Sequence, residues 1–332
     1  MTAPRTNSND GQPGRSGPDA DVKAVLEGVS VFYGEVVGLS KVDLELRPGI
    51  TGVVGPNGSG KTTMMRVMVG LIDPTEGRTR VLGRSPFLDA KVRSRITFVP
   101  ASENFYPGLT GRKNLEVAFM AQGRDRSEAR KLAQKALELV GLVGEGRRGY
   151  ATWSRGMRQR LKLGLALAGD SEVVLLDEPF LGVDPPSRNA LRQHVQALGE
   201  QGRTVLVSSH VLHEIEALTD LVGILARGRL LGFGKVHTLV RQIRDDHPHR
   251  VVLHVDDPRK LGQVLLGLSH VEELKIVGPE ALEFVTVRPE SAYRELPGLV
   301  VNTGVVVRRV ESLDHSLEAA FTHVTAVGSR RL

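Results

Sequence analysis

The chain has 332 residues, 40 % of them hydrophobic and 25 % charged, enough for one large domain and a smaller one with ample core. A net charge of +6 with only 4 % aromatics argues against nucleic acid as a partner, since that ligand wants a basic patch interleaved with stacking surfaces. There is no cysteine, which excludes disulfides, thiolate metal sites and cysteine nucleophiles.

Met1 to Ala20 is rich in Pro, Gly, Ser, Asn and Asp without an apolar stretch, so it reads as a disordered tail and not as a signal peptide. Lys23 to Val31 and Val42 to Leu46 read as strands around the turn Tyr33-Gly34-Glu35. Ile50 to Val54 is a short strand that runs into a glycine-rich loop and then a helix over Lys61 to Val69, and Ile96 to Val99 is a further strand. From Thr110 to Gly169 the period turns helical, with Leu115, Phe119, Leu132, Ala136, Leu139, Leu161, Leu165 and Leu167 as apolar anchors. Within it, Asp125 to Leu139 alternates charge with apolar residues, a solvated face over a core stripe.

Val173 to Leu176 and Thr204 to Ser208 are apolar runs between turn signals, as in strands buried on both faces of a parallel sheet. Helices over Pro185 to Leu198 and Val211 to Leu218 alternate with them. The expected class is therefore α/β, with 21–244 as one domain carrying a helical insertion at about 105–170. The polar stretch Asp245-Asp246-His247-Pro248-His249 marks a boundary, and 245–332 is expected as a small α+β domain. Its elements read strand (Arg250 to Val255), helix (Pro258 to Leu268), strand (Val271 to Val277), strand (Leu282 to Val287), helix (Glu290 to Leu296) and strand (Val300 to Val307). That is the β-α-β-β-α-β order of a ferredoxin-like unit, followed by a helix over Leu313 to Val324. Asp245, Asp246, His247, His249 and His254 could suggest a metal site, but Pro248 disrupts any regular ligand face and a solvated linker explains them better. No window approaches the run of about 18 apolar residues that a membrane span needs. No internal repeat is visible, so one unit is present and not two fused ones.

The strongest motif is Gly55-Pro56-Asn57-Gly58-Ser59-Gly60-Lys61-Thr62, a complete G-x-x-x-x-G-K-[ST] phosphate loop between a strand and a helix. Its glycines let successive backbone N–H groups converge on phosphate oxygens, and the helix N-terminus adds partial positive charge. Lys61 can reach the β and γ phosphates of a nucleotide, Thr62 offers a hydroxyl to Mg²⁺, and Thr63 follows on the helix. A second motif, Val173-Val174-Leu175-Leu176-Asp177-Glu178, delivers Asp177 to the carboxyl edge of the sheet, where ligands of such folds bind. Asp177 is expected to hold Mg²⁺ through water, and Glu178 to polarise the attacking water. Between them, Trp153-Ser154-Arg155-Gly156-Met157-Arg158-Gln159-Arg160 opens a helix, with Ser154 as N-cap and Gly156 permitting close backbone approach to an anion.

The set resembles the nucleotide-binding subunits of ABC transporters from Val25 to about Lys235, nearly two-thirds of the chain. In that family the helix-opening segment is the signature loop, usually Leu-Ser-Gly-Gly-Gln, which reaches across a head-to-tail dimer to the γ-phosphate held by the other subunit. Ser154 and Gly156 match it, while Trp153, Arg155 and Met157 depart. The Ser-Arg-Gly-Met form is similar to the branch whose ATPase pairs with a separate permease and often works as an exporter. The resemblance further implies that Tyr33 stacks on adenine, although by composition it could equally be a core tyrosine at a strand end. It implies that Gly182-Val183-Asp184 contacts the opposite subunit and that His210 senses the γ-phosphate. One departure stands out. The family places a glutamine, or sometimes a glutamate, after the strand that ends here in Phe98-Val99-Pro100, where this chain has Ala101, Ser102 and Glu103. Alanine can neither ligate Mg²⁺ nor orient water, so that role is either lost or taken by Glu103.

The resemblance thus implies Mg·ATP hydrolysis by an ATP-bound homodimer, at the cytoplasmic, inner face of the cell membrane, where a permease holds it as a peripheral subunit. A soluble ABC-type ATPase acting on nucleic acid or ribosomes is the competing reading. Such proteins usually carry two ATPase units, coiled-coil insertions or zinc cysteines, and none appears here. A P-loop GTPase would want an Asn-Lys-x-Asp motif, which the chain lacks.

Overall fold

A computed structural model describes residues 21–102, 105–239 and 249–312. The tail before residue 21, Glu103, the acidic stretch Asp245 to Pro248 and the segment Leu313 to Val324 lie outside them. Among the described residues no helix is long and apolar enough to cross a membrane.

Three sheets organise the described residues. Strands β1 (Ala24–Tyr33), β2 (Val36–Leu46) and β4 (Glu76–Val81) form an antiparallel sheet in the order β2-β1-β4. The β1–β2 hairpin closes where Tyr33 pairs with Val36, and Gly34 takes the positive φ of 61° that so short a turn requires. The central sheet runs β5-β6-β7-β3-β8-β9. It comprises β3 (Gly49–Val54), β5 (Ile96–Val99), β6 (Val173–Asp177), β7 (Thr204–Ser209), β8 (Leu221–Ala226) and β9 (Arg229–Lys235). All its neighbours are parallel except the β8–β9 hairpin.

Val173, Val174, Leu175 and Leu176 are wholly buried, because helices cover both faces of β6. Each such side chain contributes about 1.5–3 kcal/mol on leaving water. Against one face pack α1 (Lys61–Met68) and the antiparallel sheet, with Met64, Met65 and Met68 in the seam; the short α2 (Ala90–Arg93) lies beside β5. The other face takes α6 (Pro185–Glu200), α7 (Leu212–Glu216) and the helical insertion. The insertion consists of α3 (Gly111–Ala121), α4 (Arg126–Leu139) and α5 (Arg155–Ala168). Asp125 caps α4, accepting from the Ser127 and Glu128 N–H groups, and Ala129, Ala133, Ala136 and Leu137 form its buried stripe.

Residues 249–312 form a separate antiparallel sheet with its own core. It comprises β10 (His249–Val255), α8 (Pro258–Leu265), β11 (Val271–Gly278), β12 (Ala281–Thr286), α9 (Pro289–Thr303) and β13 (Val307–Ser312). The strand order β11-β12-β10-β13 is that of a split β-α-β arrangement. The expected strand over Val300 to Val307 is not there. Residues to Thr303 continue α9 past Pro297, Gly304 stops the helix at φ 66°, and the strand begins at Val307. Leu299 and Val300 pack onto this core, and that tertiary contact outweighs the β-propensity of a valine-rich run. Nor is His249 a solvated linker residue. It is buried in β10 with Nε2 3.2 Å from the Tyr293 hydroxyl, while His254 stands 3.4 Å from Glu311. Among the described residues no group of three or more His, Asp or Glu is placed to hold a metal ion.

Candidate nucleotide site

The site forms where β3, β6 and β7 end. After Val54 the chain turns through the loop from Gly55 to Gly60, and only glycine serves at two of its positions. A Cβ on Gly55 would fall 2.2 Å from the Leu225 carbonyl oxygen. Gly60 adopts φ 109°, and a Cβ there would meet the Gly38 carbonyl at 2.6 Å. The β8–β9 turn braces the loop from behind, with the Gly228 N–H donating to the Ser59 carbonyl at 2.8 Å.

Lys61, the first residue of α1, curls back over the loop. Its Nζ donates to the carbonyls of Gly55 (2.6 Å) and Pro56 (3.2 Å) and stands 3.6 Å from Glu178 Oε1. Burial holds the ammonium below its ordinary pKa, against the opposing pull of Glu178 and Asp177. Beside it, Thr62 Oγ1 donates to Asp177 Oδ2 at 2.6 Å, and Ser208 Oγ to Asp177 Oδ1 at 2.6 Å. A hydroxyl and a carboxylate so close together at a phosphate loop are the hard oxygen donors that Mg²⁺ takes, so this donor set fits the ion.

Glu178 takes an unusual positive φ of 50°. Its N–H donates to the Ser208 carbonyl and hydroxyl, both at 3.2 Å, and its carbonyl accepts from Gln159 Nε2 at 3.1 Å. These bonds hold the left-handed backbone and aim the carboxylate between Lys61 and His210, whose Nδ1 lies 2.8 Å from Glu178 Oε2. Glu178 Oε1 and Ser59 Oγ are buried without a hydrogen-bond partner among the described residues.

These groups line a cavity of about 490 Å³. Asn57 through Thr63, Asp177, Glu178 and His210 form its floor and back, and Tyr33 closes one side from the β1–β2 hairpin. The Tyr33 ring lies over Gly38, half exposed, with its hydroxyl 3.5 Å from Thr63 Oγ1. Ala101 lines the same cavity. Ser154 and Gly156 do not. Ser154 caps α5, its Oγ accepting from the Met157 N–H at 3.2 Å, and Gly156 backs onto the Gly182 carbonyl, 3.0 Å from where a Cβ would sit.

Several positioning groups escape a reading by motif. Ser208 holds Asp177, and Gln159 holds the backbone of Glu178 and Pro179. Arg188 donates to the Val183 carbonyl and pairs with Glu214, which accepts from Ser209 next to His210. A Gln and a Lys on the inward face of α5, among Leu161, Leu163 and Leu165, were the visible signal of buried polar work.

A phosphate loop at the carboxyl edge of a parallel sheet, facing an adjacent Asp-Glu pair and a histidine, defines a P-loop nucleoside triphosphatase. Sequence comparison narrows the class, since the ABC transporter family model matches residues 39–181. The linearmycin resistance ATP-binding protein LnrL of Bacillus subtilis is 33 % identical over 225 residues, covering 66 % of this chain and 71 % of that protein. The daunorubicin resistance ATP-binding protein DrrA3 of Streptomyces coeruleorubidus is 34 % identical over 229 residues, covering 68 % and 72 %. Among solved structures, a dimeric bacterial ABC transporter cassette, MJ0796, aligns with a TM-score of 0.60 at 28 % identity, covering 64 % of this chain and 98 % of that one. The chain belongs to the family of ABC transporter ATP-binding subunits, and it binds and hydrolyses ATP.

Proposed function

We propose that two copies of this chain close head to tail around two Mg·ATP and drive export through a separate membrane permease, at the cytoplasmic face of the membrane. The observation that carries this reading is the division of the site. Lys61, Asp177, Glu178 and His210 converge on one cavity, whereas Ser154 and Gly156 stand outside it at the head of α5. A capped helix N-terminus outside its own chain's cavity is suited to meet the γ-phosphate of a second chain. The names of LnrL and DrrA3, both resistance proteins, support the export direction.

In this reading Tyr33 stacks on adenine, the backbone from Gly55 to Thr63 cradles the phosphates, and Lys61 leaves the loop carbonyls for the β and γ oxygens. Thr62 and Asp177 would hold Mg²⁺, which supplies charge neutralisation at the phosphates. Glu178 accepts a proton from the attacking water, and His210, already bonded to Glu178, contacts the γ-phosphate. The division into an ATPase domain (21–244) and an accessory domain (245–332) belongs to the same proposal, supported by the separate core of residues 249–312.

The test is retrieval of the tagged chain from detergent-solubilised membranes of its own cells. A multi-span protein should come with it in stoichiometric amount, and reconstitution of the pair should stimulate ATP hydrolysis severalfold. Recovery of the chain only from the soluble fraction, with turnover indifferent to membranes, contradicts the transport assignment.

A further inference from the structure

Lys162 lies on α5 and is buried more deeply than Lys61, at 2 % exposure against 6 %. Its Nζ donates to three consecutive carbonyls, those of Pro100 (3.0 Å), Ala101 (3.1 Å) and Ser102 (3.1 Å). Three acceptors in one stretch of backbone match the three N–H donors of an ammonium. Its neighbours Leu161 and Leu163 are apolar, and burying a cation among them costs several kcal/mol unless charge-assisted hydrogen bonds offset it. Packing alone would be better served by another leucine at 162.

The loop that Lys162 holds has a second side. Ala101 lines the nucleotide cavity together with Asp177, Glu178 and His210. One turn earlier on the same face of α5, Gln159 donates to the carbonyls of Glu178 and Pro179 at 3.1 and 2.9 Å. Adjacent turns of one helix therefore grip both of these cavity walls, and α5 begins at the capping residue Ser154.

We propose that Lys162 is a positioning residue for ATP hydrolysis. It locks the Ala101 wall to α5, so that the Ala101 and Glu178 walls move as one body with the head of that helix. Alanine at 101 brings no side-chain group to the water or the metal, so this residue acts on the reaction through where its backbone stands, and Lys162 sets that position. The proposal rests on the role given to Glu178 above.

The experiment is steady-state ATP hydrolysis by the full chain carrying Lys162→Met, Lys162→Gln or Lys162→Arg, with Glu178→Gln measured alongside. Lys162→Met keeps the stem and removes the donors, and it should lower kcat by about tenfold or more while KM for ATP stays within about twofold, the pattern of a misplaced reacting group. Lys162→Arg, which restores charge and donors, should recover a substantial part of kcat. Should Lys162→Met fail to fold, Lys162→Gln, neutral but still a donor, carries the same expectation. Parental kcat in a folded neutral variant would overturn the proposal. So would a rise in KM that accounts for the whole fall in kcat/KM, because that signals lost ground-state binding. Parental turnover in Glu178→Gln would sink the base assignment alone, leaving the kcat-against-KM split at Lys162 to be read as stated.

Discussion

Glu178 stands between the Lys61 side chain and the His210 ring, on a backbone bent into the left-handed region. The motif made Asp177 and Glu178 legible, because an apolar run ending in two acids is a local pattern. Nothing local foretold the bend at Glu178, which Ser208 and Gln159 impose from β7 and α5. The same contrast holds for Lys61: the loop was plain in the sequence, its burial was not. Burial holds this ammonium below the ordinary value of 10.5. Between the folded value and 10.5 the folded chain binds fewer protons than the unfolded one, so stability of the ligand-free protein rises with pH across that window. Below it the full cost of the buried charge is present. Urea unfolding of the parent and Lys61→Met at stepped alkaline pH should show the difference moving in the parent's favour as pH rises. A difference that moves the other way contradicts the desolvated Lys61 described here.

At the scale of elements, strands buried on both faces and capped helices were the legible ones. Ile96–Val99 and Val173–Asp177 follow from continuous apolar runs, and α1 follows from the glycine loop before it. Three strands were not foreseen. In β4 every other residue is small or charged, and its partner β1 is far away in sequence. The β8–β9 hairpin turns at Arg227-Gly228, both with positive φ, a signal that was present but hidden between apolar stretches. The join between α3 and α5 is also tertiary: Trp153, just before the α5 cap, packs so tightly on Gly111 that an added Cβ would fall 2.2 Å from its ring. The ring is further held against Tyr150, at 5.9 Å between centroids, and cannot swing away cheaply. Gly111→Ala should therefore cost about 1–3 kcal/mol of stability by overpacking. Thermal and urea unfolding measure this directly, and an unchanged midpoint would show that the contact yields.

For the whole molecule, the proposed mechanism gives each chain an incomplete site that ATP completes by joining two. The resemblance implies that division through Ser154 and Gly156, which lie outside the chain's own cavity. What the sequence could not convey is how α5 reaches back from its exposed head to the cavity walls through Gln159 and Lys162. Those contacts join residues far apart in the chain, and a Gln and a Lys on an apolar helix face show that buried partners exist without showing which. They tie both cavity walls to a helix whose N-terminus and inward face belong to one element. Glu178→Gln removes the base yet preserves the hydrogen-bonding shape, so ATP should bind and persist; general-base losses of about 10²–10⁴ in rate leave time to observe the product of closure. Sedimentation of Glu178→Gln in saturating Mg·ATP is the most direct test. The account requires a species of twice the 36.0 kDa of one chain, dissociating when ATP is removed. A nucleotide-loaded protein that remains a monomer at every concentration would contradict it.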